Sequence, residues 1–271
     1  MTRTLAVGTD DFGLTLDISR AISELAHAGR VAVVSCMPHA AAWRASLPLL
    51  AGLPDCVQRG LHFNLTEGVP LSAELRRIWP QFLPLPRLIL AAHLRQLPLA
   101  ALAAEWTAQW QTFTDATGAE PQFVDGHQHV HHLPGVRNVV INAITQRASV
   151  PAVRNTGRLV GPGFGVKRGL IESTGGRALQ RTLVQRGIRH NPSLVGAYDF
   201  IDPNYGGRMR GWLAALPAAG GLLFCHPGYQ EAVPTVADPI APARVRERAY
   251  LASDTFLKDL LAADVMLGSV W

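Results

Sequence analysis

Two features of this chain could do chemistry by residue type and spacing alone. One is the adjacent pair Asp10-Asp11, and the other is the run Asp125-Gly126-His127-Gln128-His129-Val130-His131-His132. Neighbouring carboxylates resist ionising together. A divalent cation relieves that repulsion for one of them and leaves the other free to act as a base. An aspartate pair is also an ordinary turn and helix-capping device, so it gains force only beside the histidines. Imidazole is the commonest metal-binding side chain, and alternate residues of an extended segment face the same way. Four histidines cannot all serve one ion, because a site that keeps a position open for water takes about three protein ligands. Two more histidines stand out: His62, among apolar neighbours in the alternating segment Gly60-Leu61-His62-Phe63-Asn64-Leu65-Thr66, and His226, which follows an apolar run in Phe224-Cys225-His226-Pro227-Gly228-Tyr229. Taken singly, His62 reads as a hydrogen-bonded core residue and His226 as a turn residue or an acid near neutral pH. Taken together, these groups describe metal-assisted hydrolysis. The residues alone do not choose among His127, His129 and His131 as ligands, nor divide the roles of the two aspartates.

Elements must bring these scattered groups together. Leu5–Gly8 reads as a short strand running into the polar Thr9-Asp10-Asp11 turn. A helix follows from about Leu16, with Ile18, Ala21, Ile22 and Leu25 on one face and Gly29 closing it. The β-branched run Val31–Met37 reads as a buried strand. Alternation continues with a helix near Ala40–Ala51, a strand near Val57–Leu65, a helical stretch within Leu85–Thr117 and a short strand at Gln122–Val124. Then come a helix over Gly135–Arg147, a strand at Ala152–Arg154 and a helix over Lys167–Arg186. The end reads as helix Arg208–Leu216, strand Gly221–Cys225, helix Arg244–Ala262 and strand Val265–Val270. Such alternation predicts a parallel α/β fold. Asp10-Asp11, His62, Asp125–His132 and His226 each fall at or just past the C-terminal end of a strand. That placement favours an irregular, TIM-like (β/α) barrel over an open sheet, since barrels build their sites at this rim.

Composition narrows the class. With 271 residues, 48% of them apolar, the chain can bury a large core, and a single domain over residues 1–271 is expected. The formal charge of +5 is spread along the chain and carried almost wholly by arginine, so no nucleic-acid tract is formed. The most apolar stretch, Pro84–Leu102, is broken by prolines and charges, so no membrane span is expected. No secretory leader is read at the N-terminus. Cys36, Cys56 and Cys225 are scattered, which argues against a disulfide framework and fits a reducing, cytoplasmic setting. Cys36 and Cys225 read as core residues.

Four segments together carry a resemblance: Thr9-Asp10-Asp11-Phe12-Gly13-Leu14, Gly60 to Thr66, Asp125 to His131, and Cys225-His226-Pro227-Gly228-Tyr229. In order and spacing they resemble the YdjC/ChbG-type carbohydrate deacetylases, a wider group that includes the hopanoid-associated HpnK deacetylases. The likeness runs from the N-terminus to about residue 229. It implies an irregular (β/α) barrel related to polysaccharide deacetylases. It also implies a metal site made by Asp11, His62 and His127, Asp10 as catalytic base, and His226 lining the site. One divalent cation is implied, magnesium or zinc; two nitrogens and a carboxylate would suit zinc. Two departures lie close to that site: Gly8-Thr9 stands where the family more usually has Asn-Ala, and Gly126 where serine is common. The segment Pro151–Val195 carries least of the pattern. Candidate substrate contacts are Phe12, His129, Arg154 and Tyr229, with Asn191 and Phe63 as weaker ones; Phe63 reads better as core.

The implied activity is removal of acetyl from an N-acetylated amino sugar, oligosaccharide or glycolipid, by water held on the cation. Another metal hydrolase, a phosphoesterase or amidohydrolase, and a non-catalytic carbohydrate-binding protein are the competing expectations. A homodimer is left open.

Overall fold

Strands form where apolar and β-branched runs stop at polar turns, and helices where apolar residues recur at three- and four-residue steps. The computed structural model describes residues 2–229 and 238–271. Its first half runs β1 (Arg3–Phe12), α1 (Leu16–His27), β2 (Val33–Cys36), α2 (Trp43–Ala51), β3 (Gln58–Phe63), α3 (Ala73–Ile78), α4 (Leu85–His93), α5 (Leu99–Thr117) and β4 (Phe123–Gly126). The second half runs α6 (Val136–Ile144), β5 (Ala152–Val153), α7 (Gly165–Ile171), α8 (Arg177–Gln185), β6 (Leu194–Val195), α9 (Tyr205–Ala215), β7 (Gly221–Cys225), α10 (Ala241–Ala252), α11 (Asp254–Ala262) and β8 (Val265–Leu267).

All the strand pairs are parallel, in the order β5-β4-β3-β2-β1-β7-β6, with β8 beside the start of β1. His190, just ahead of β6, forms an isolated bridge to Val153 of β5. The two ends of the sheet therefore meet at that bridge, and the first seven strands follow one another around the ring in chain order. The fold is an irregular α/β barrel, as the alternation predicted, but its closure at the β5–β6 seam is far weaker than a continuous ladder.

The period of two along each strand sorts the side chains. Ala6, Val33, Phe123, Ala152, Leu194 and Leu222 share the interior cluster, with Trp271 stacked on Phe123 at 5.3 Å between ring centroids. Leu5, Val7, Val34, Leu61, Val124, Val153 and Leu223 belong to the larger cluster between sheet and helices. One interior position is restricted to glycine by space: a Cβ on Gly60 would lie 2.4 Å from the Phe123 ring. One step further along the same alternation come Asp10, Ser35, His62, Asp125 and Arg154. The upper interior layer is polar because the C-terminal ends of five strands deliver these residues there.

Several boundaries differ from the periodic reading. The stretch Leu85–Thr117 is two helices, separated before Pro98, which cannot supply a backbone donor to a continuous helix. The stretch Lys167–Arg186 is also two, α7 and α8, joined through Gly175 and Gly176. A Cβ at either glycine would come within 2.1–2.2 Å of the His132 or Thr156 carbonyl oxygen, so this joint packs directly on the loops of the site. Ser253 stops α10 and caps α11, its hydroxyl accepting from the Phe256 amide. The two-residue strand β6 and the short α3 are too brief for a periodic signal. Among the described residues no helix is long and apolar enough to cross a membrane. Cys36 and Cys225 are buried, Cys56 is exposed, and all three are free.

Candidate active site

In a regular strand Asp10 and Asp11 would face opposite sides of the sheet. Here the register slips between Thr9 and Phe12, and Asp11 takes a left-handed backbone conformation with φ 69°. Aspartate tolerates that conformation better than most residues. The irregularity brings both carboxylates to the same cavity, a space of about 330 Å³ at the C-terminal end of the strands. Thr9 turns away, its hydroxyl donating to the Val33 carbonyl at 3.4 Å. The replacement at this position is thus directed outside the site.

Asp11 is the focus of the donor groups. Its Oδ1 lies 2.9 Å from His127 Nδ1 and 3.5 Å from His62 Nε2, while Arg244 Nη2 donates to Oδ2 at 2.7 Å. Asp11, His62 and His127 each offer a ligand atom within 4.8 Å of the others, and all three are buried. A second grouping, Asp10, His62 and Asp125, meets the same distance test. However, Asp125 is already taken: it pairs with Arg154 at 2.5 Å and accepts from Ser35 Oγ at 2.6 Å and from His62 Nδ1 at 2.6 Å. The Asp11 group is therefore the better cradle for a cation, with a mixed oxygen and nitrogen donor set.

The electrostatics agree with that choice. Burial works against the ionised form of Asp11, yet Arg244 and His127 hold its carboxyl well below the usual carboxylate range. Burial likewise opposes a charge on His62, but the carboxylates of Asp125 and Asp10 push its pKa up to about 10. Burial is again overcome at His127, which Asp11 raises. The site favours positive charge at both imidazoles, a proton or a cation. A ligating imidazole must lose its proton, so metal binding here competes with protonation.

Asp10 lies beside this group. Arg154 grips it with two bonds, Nη1 to Oδ2 at 2.7 Å and Nη2 to Oδ1 at 2.6 Å. His226, at the end of β7, places Nε2 3.9 Å from Asp10 Oδ2, and its amide donates to Glu247 Oε2 at 2.5 Å. Burial drives the His226 pKa down to about 4. Phe200 and Phe224 meet its ring edge-to-face, at 5.3 and 5.9 Å, and form an apolar wall with Leu14, Leu170 and Ile240.

The cavity wall includes Asp10, Asp11, His62, His127, His129 and His226. Four other expectations need correction. Phe12 is fully buried in the sheet–helix core, because the slip in β1 turns it to that side; Phe63 is buried in the same core, as expected. Arg154 is buried off the wall with its guanidinium occupied by Asp10 and Asp125, so it reaches the site only through them. Asn191 is spent on Asn155 and Ser193. Tyr229 lies outside the cavity, where its hydroxyl bonds Glu24 and Arg248.

The histidine run is not extended either. His127–His132 is a tight turn in which Gln128 and His129 have φ 52° and 62°. His131 Nε2 bonds the Arg154 carbonyl at 2.9 Å and His132 Nδ1 bonds Thr156 Oγ1 at 2.9 Å, so both tie this turn to the segment after β5. Gly126 fits beneath it: a Cβ there would lie 2.9 Å from the His131 amide nitrogen. Arg244, Glu247 and Glu67 escaped the motif reading. The first two are buried charges three residues apart on α10, a pattern that a search for charge on a buried helix face would find.

The chain is 33% identical over 146 residues to a chitooligosaccharide deacetylase of Enterobacter sp. (strain 638), covering 50% of this chain and 53% of that one. It is 35% identical over 150 residues to a carbohydrate deacetylase of Xenopus laevis, covering 52% and 47%. The matched stretch spans about half the length of these curated relatives. In fold it is similar to a crystal structure from Enterococcus faecalis V583, of a protein linked by name to cellobiose-phosphate cleavage. There the TM-score is 0.76 at 17% identity, covering 100% of this chain and 98% of that one. The model of the YdjC-like protein family matches residues 4–262, and the chain belongs to that family.

Proposed function

We propose that this chain is a metal-dependent hydrolase that removes an acetyl group from an N-acetylated amino sugar. The supporting observation is the grouping of Asp11, His62 and His127 within 4.8 Å, on the wall of a cavity shared with Asp10 and His226. The names of the relatives direct the reading to acetylated carbohydrates.

Asp11, His62 and His127 would hold the cation, zinc or magnesium. When bound, it would polarise the acetamide carbonyl and make water more acidic. Asp10 takes the proton of the attacking water. Arg154 fixes the plane of that carboxylate and still leaves each oxygen a lone pair for the task. Burial keeps His226 neutral at pH 7, so it carries no spare proton at the outset. It receives one from Asp10 and passes it to the nitrogen as the carbon–nitrogen bond breaks, leaving acetate and a free amine. His129 and the apolar wall of Phe200 and Phe224 are the surfaces against which the sugar would pack. A cytoplasmic setting belongs to the same proposal, supported by three free cysteines.

The test is acetate release from a panel of N-acetylated sugars, with zinc or magnesium supplied, by wild type and Asp10→Asn. The variant is expected to lose about 10²–10⁴-fold in kcat while still binding the cation. Full activity in Asp10→Asn removes that residue from the reaction. Phosphate-ester hydrolysis without acetate release would instead favour the phosphoesterase reading, and saturable sugar binding without turnover a binding protein.

A further inference from the structure

His62 and His127 each turn one ring nitrogen toward Asp11 and the other toward a second carboxylate. For His62, Nε2 is the near atom, 3.5 Å from Asp11 Oδ1, and Nδ1 sits 2.6 Å from Asp125 Oδ1. For His127 the ring is reversed: Nδ1 lies 2.9 Å from Asp11 Oδ1, and Nε2 is 3.1 Å from Glu67 Oε2. The two rings meet edge-to-face at 5.5 Å, so both near nitrogens converge on one carboxylate oxygen. A nitrogen that binds a cation carries no proton, so the ring's proton must sit on the far nitrogen and find an acceptor there.

We infer that Asp125 and Glu67 are positioning residues for the cation site. Asp125 fixes His62 with its proton on Nδ1, presenting Nε2, and Glu67 fixes His127 with its proton on Nε2, presenting Nδ1. This assignment rests on the metal reading above and adds the ligand atoms and their holders. The two holders differ in grip. Asp125 is fully buried and is itself clamped by Ser35 Oγ and Arg154. Glu67 stands at the cavity wall with its side chain 36% exposed, and the His127 Nε2–H does not point squarely at it. Asp125 therefore holds its histidine more firmly than Glu67 does.

The experiment uses the full chain with zinc as the probe. Long-range ¹H–¹⁵N correlation on histidine-labelled, zinc-loaded protein should show His62 bound through Nε2 and His127 through Nδ1. Competition against a chelator should find zinc bound 10–100-fold more weakly by Asp125→Asn, and about tenfold more weakly by Glu67→Gln. Ser35→Ala removes one clamp on the same carboxylate without touching its charge. It serves where Asp125→Asn does not fold, and should weaken zinc severalfold and shift the visible spectrum of the cobalt-loaded protein. Binding of His127 through Nε2 overturns the assignment. So does zinc affinity within twofold of wild type in both Asp125→Asn and Glu67→Gln, or an unchanged affinity and cobalt spectrum in Ser35→Ala. A wild-type chain that binds no zinc, magnesium or cobalt defeats the metal reading itself, and this inference with it.

Discussion

Arg154 shows how much of the site rests on one side chain. Its guanidinium is fully buried and lies within 2.7 Å of oxygens of both Asp10 and Asp125. Removing one partner of a buried ion pair leaves uncompensated charge, at a cost of about 3–5 kcal/mol. Arg154→Met should therefore lose roughly that much stability near pH 7 in urea titrations. The sign of its pH dependence is also fixed. Burial opposes ionisation of Asp125, but Arg154 and His62 hold its pKa below the ordinary 3.8. A depressed carboxylate stabilises the fold above its unfolded pKa and loses that contribution as the pH falls. The gap between wild type and Arg154→Met should thus narrow in acid; a gap that stays constant from pH 7 down to pH 3 would count against the pairing. Arg154 was legible only as a substrate contact, because nothing in one chain reveals which strand end faces another. Asp10, Asp11, His62 and His226 were legible as reactive types near strand ends, and so was the histidine cluster after Val124, but the choice of His127 within that cluster came from the family resemblance. The backbone slip that turns both aspartates toward one cavity was not legible, since no local pattern announces it, and the residues alone did not divide the roles of the pair.

At the scale of elements, strands were read more surely than helix breaks. Gly221–Cys225 is a strand over the whole range that its apolar run defines, whereas Arg244–Ala262 looked like one helix and is two. A serine inside an amphipathic pattern gives little warning that its hydroxyl will cap a new helix. What α10 does for the site was equally hidden. Glu247, fully buried on this helix, accepts from the His226 amide and from the Tyr198 hydroxyl, both at 2.5 Å, and so pins the end of β7. Burial raises its pKa from 4.5 to about 7, against the lowering influence of Tyr198 and His226. A raised carboxylate pKa means stability that is present below the unfolded value and lost as the pH climbs through about 7. Wild type should therefore lose stability between pH 5 and pH 8 relative to Glu247→Gln, which keeps the shape without the titration. Parallel stability curves for the two proteins over that range would refute the assignment.

The molecule as a whole is a ring whose site is assembled from distant parts. Asp11 comes from β1, His62 from β3 and His127 from the turn after β4, and the polar layer holds together only when those strands lie side by side in register. No short segment of the unfolded chain offers this donor set, although the run His127–His132 would retain some affinity for zinc. A cation that prefers the native site stabilises the fold by mass action, about 2.7 kcal/mol at a free concentration one hundred times its Kd. For a chain of this size each kcal/mol moves the melting temperature by about 2–4 °C. Zinc at that excess should thus raise the melting temperature by several degrees, and a chelator should return it to the metal-free value. Residual binding to the unfolded histidine run would trim this shift without reversing it. The decisive comparison is a variant with His62→Ala alone, which leaves that run intact. If zinc stabilises it as much as wild type, the cation is being held by the histidine run, and the three-strand site is not its binding place. If the shift disappears, ligand capture depends on β1, β3 and β4 lying in register, because Asp11, His62 and His127 reach the site from those strands and the turn after them.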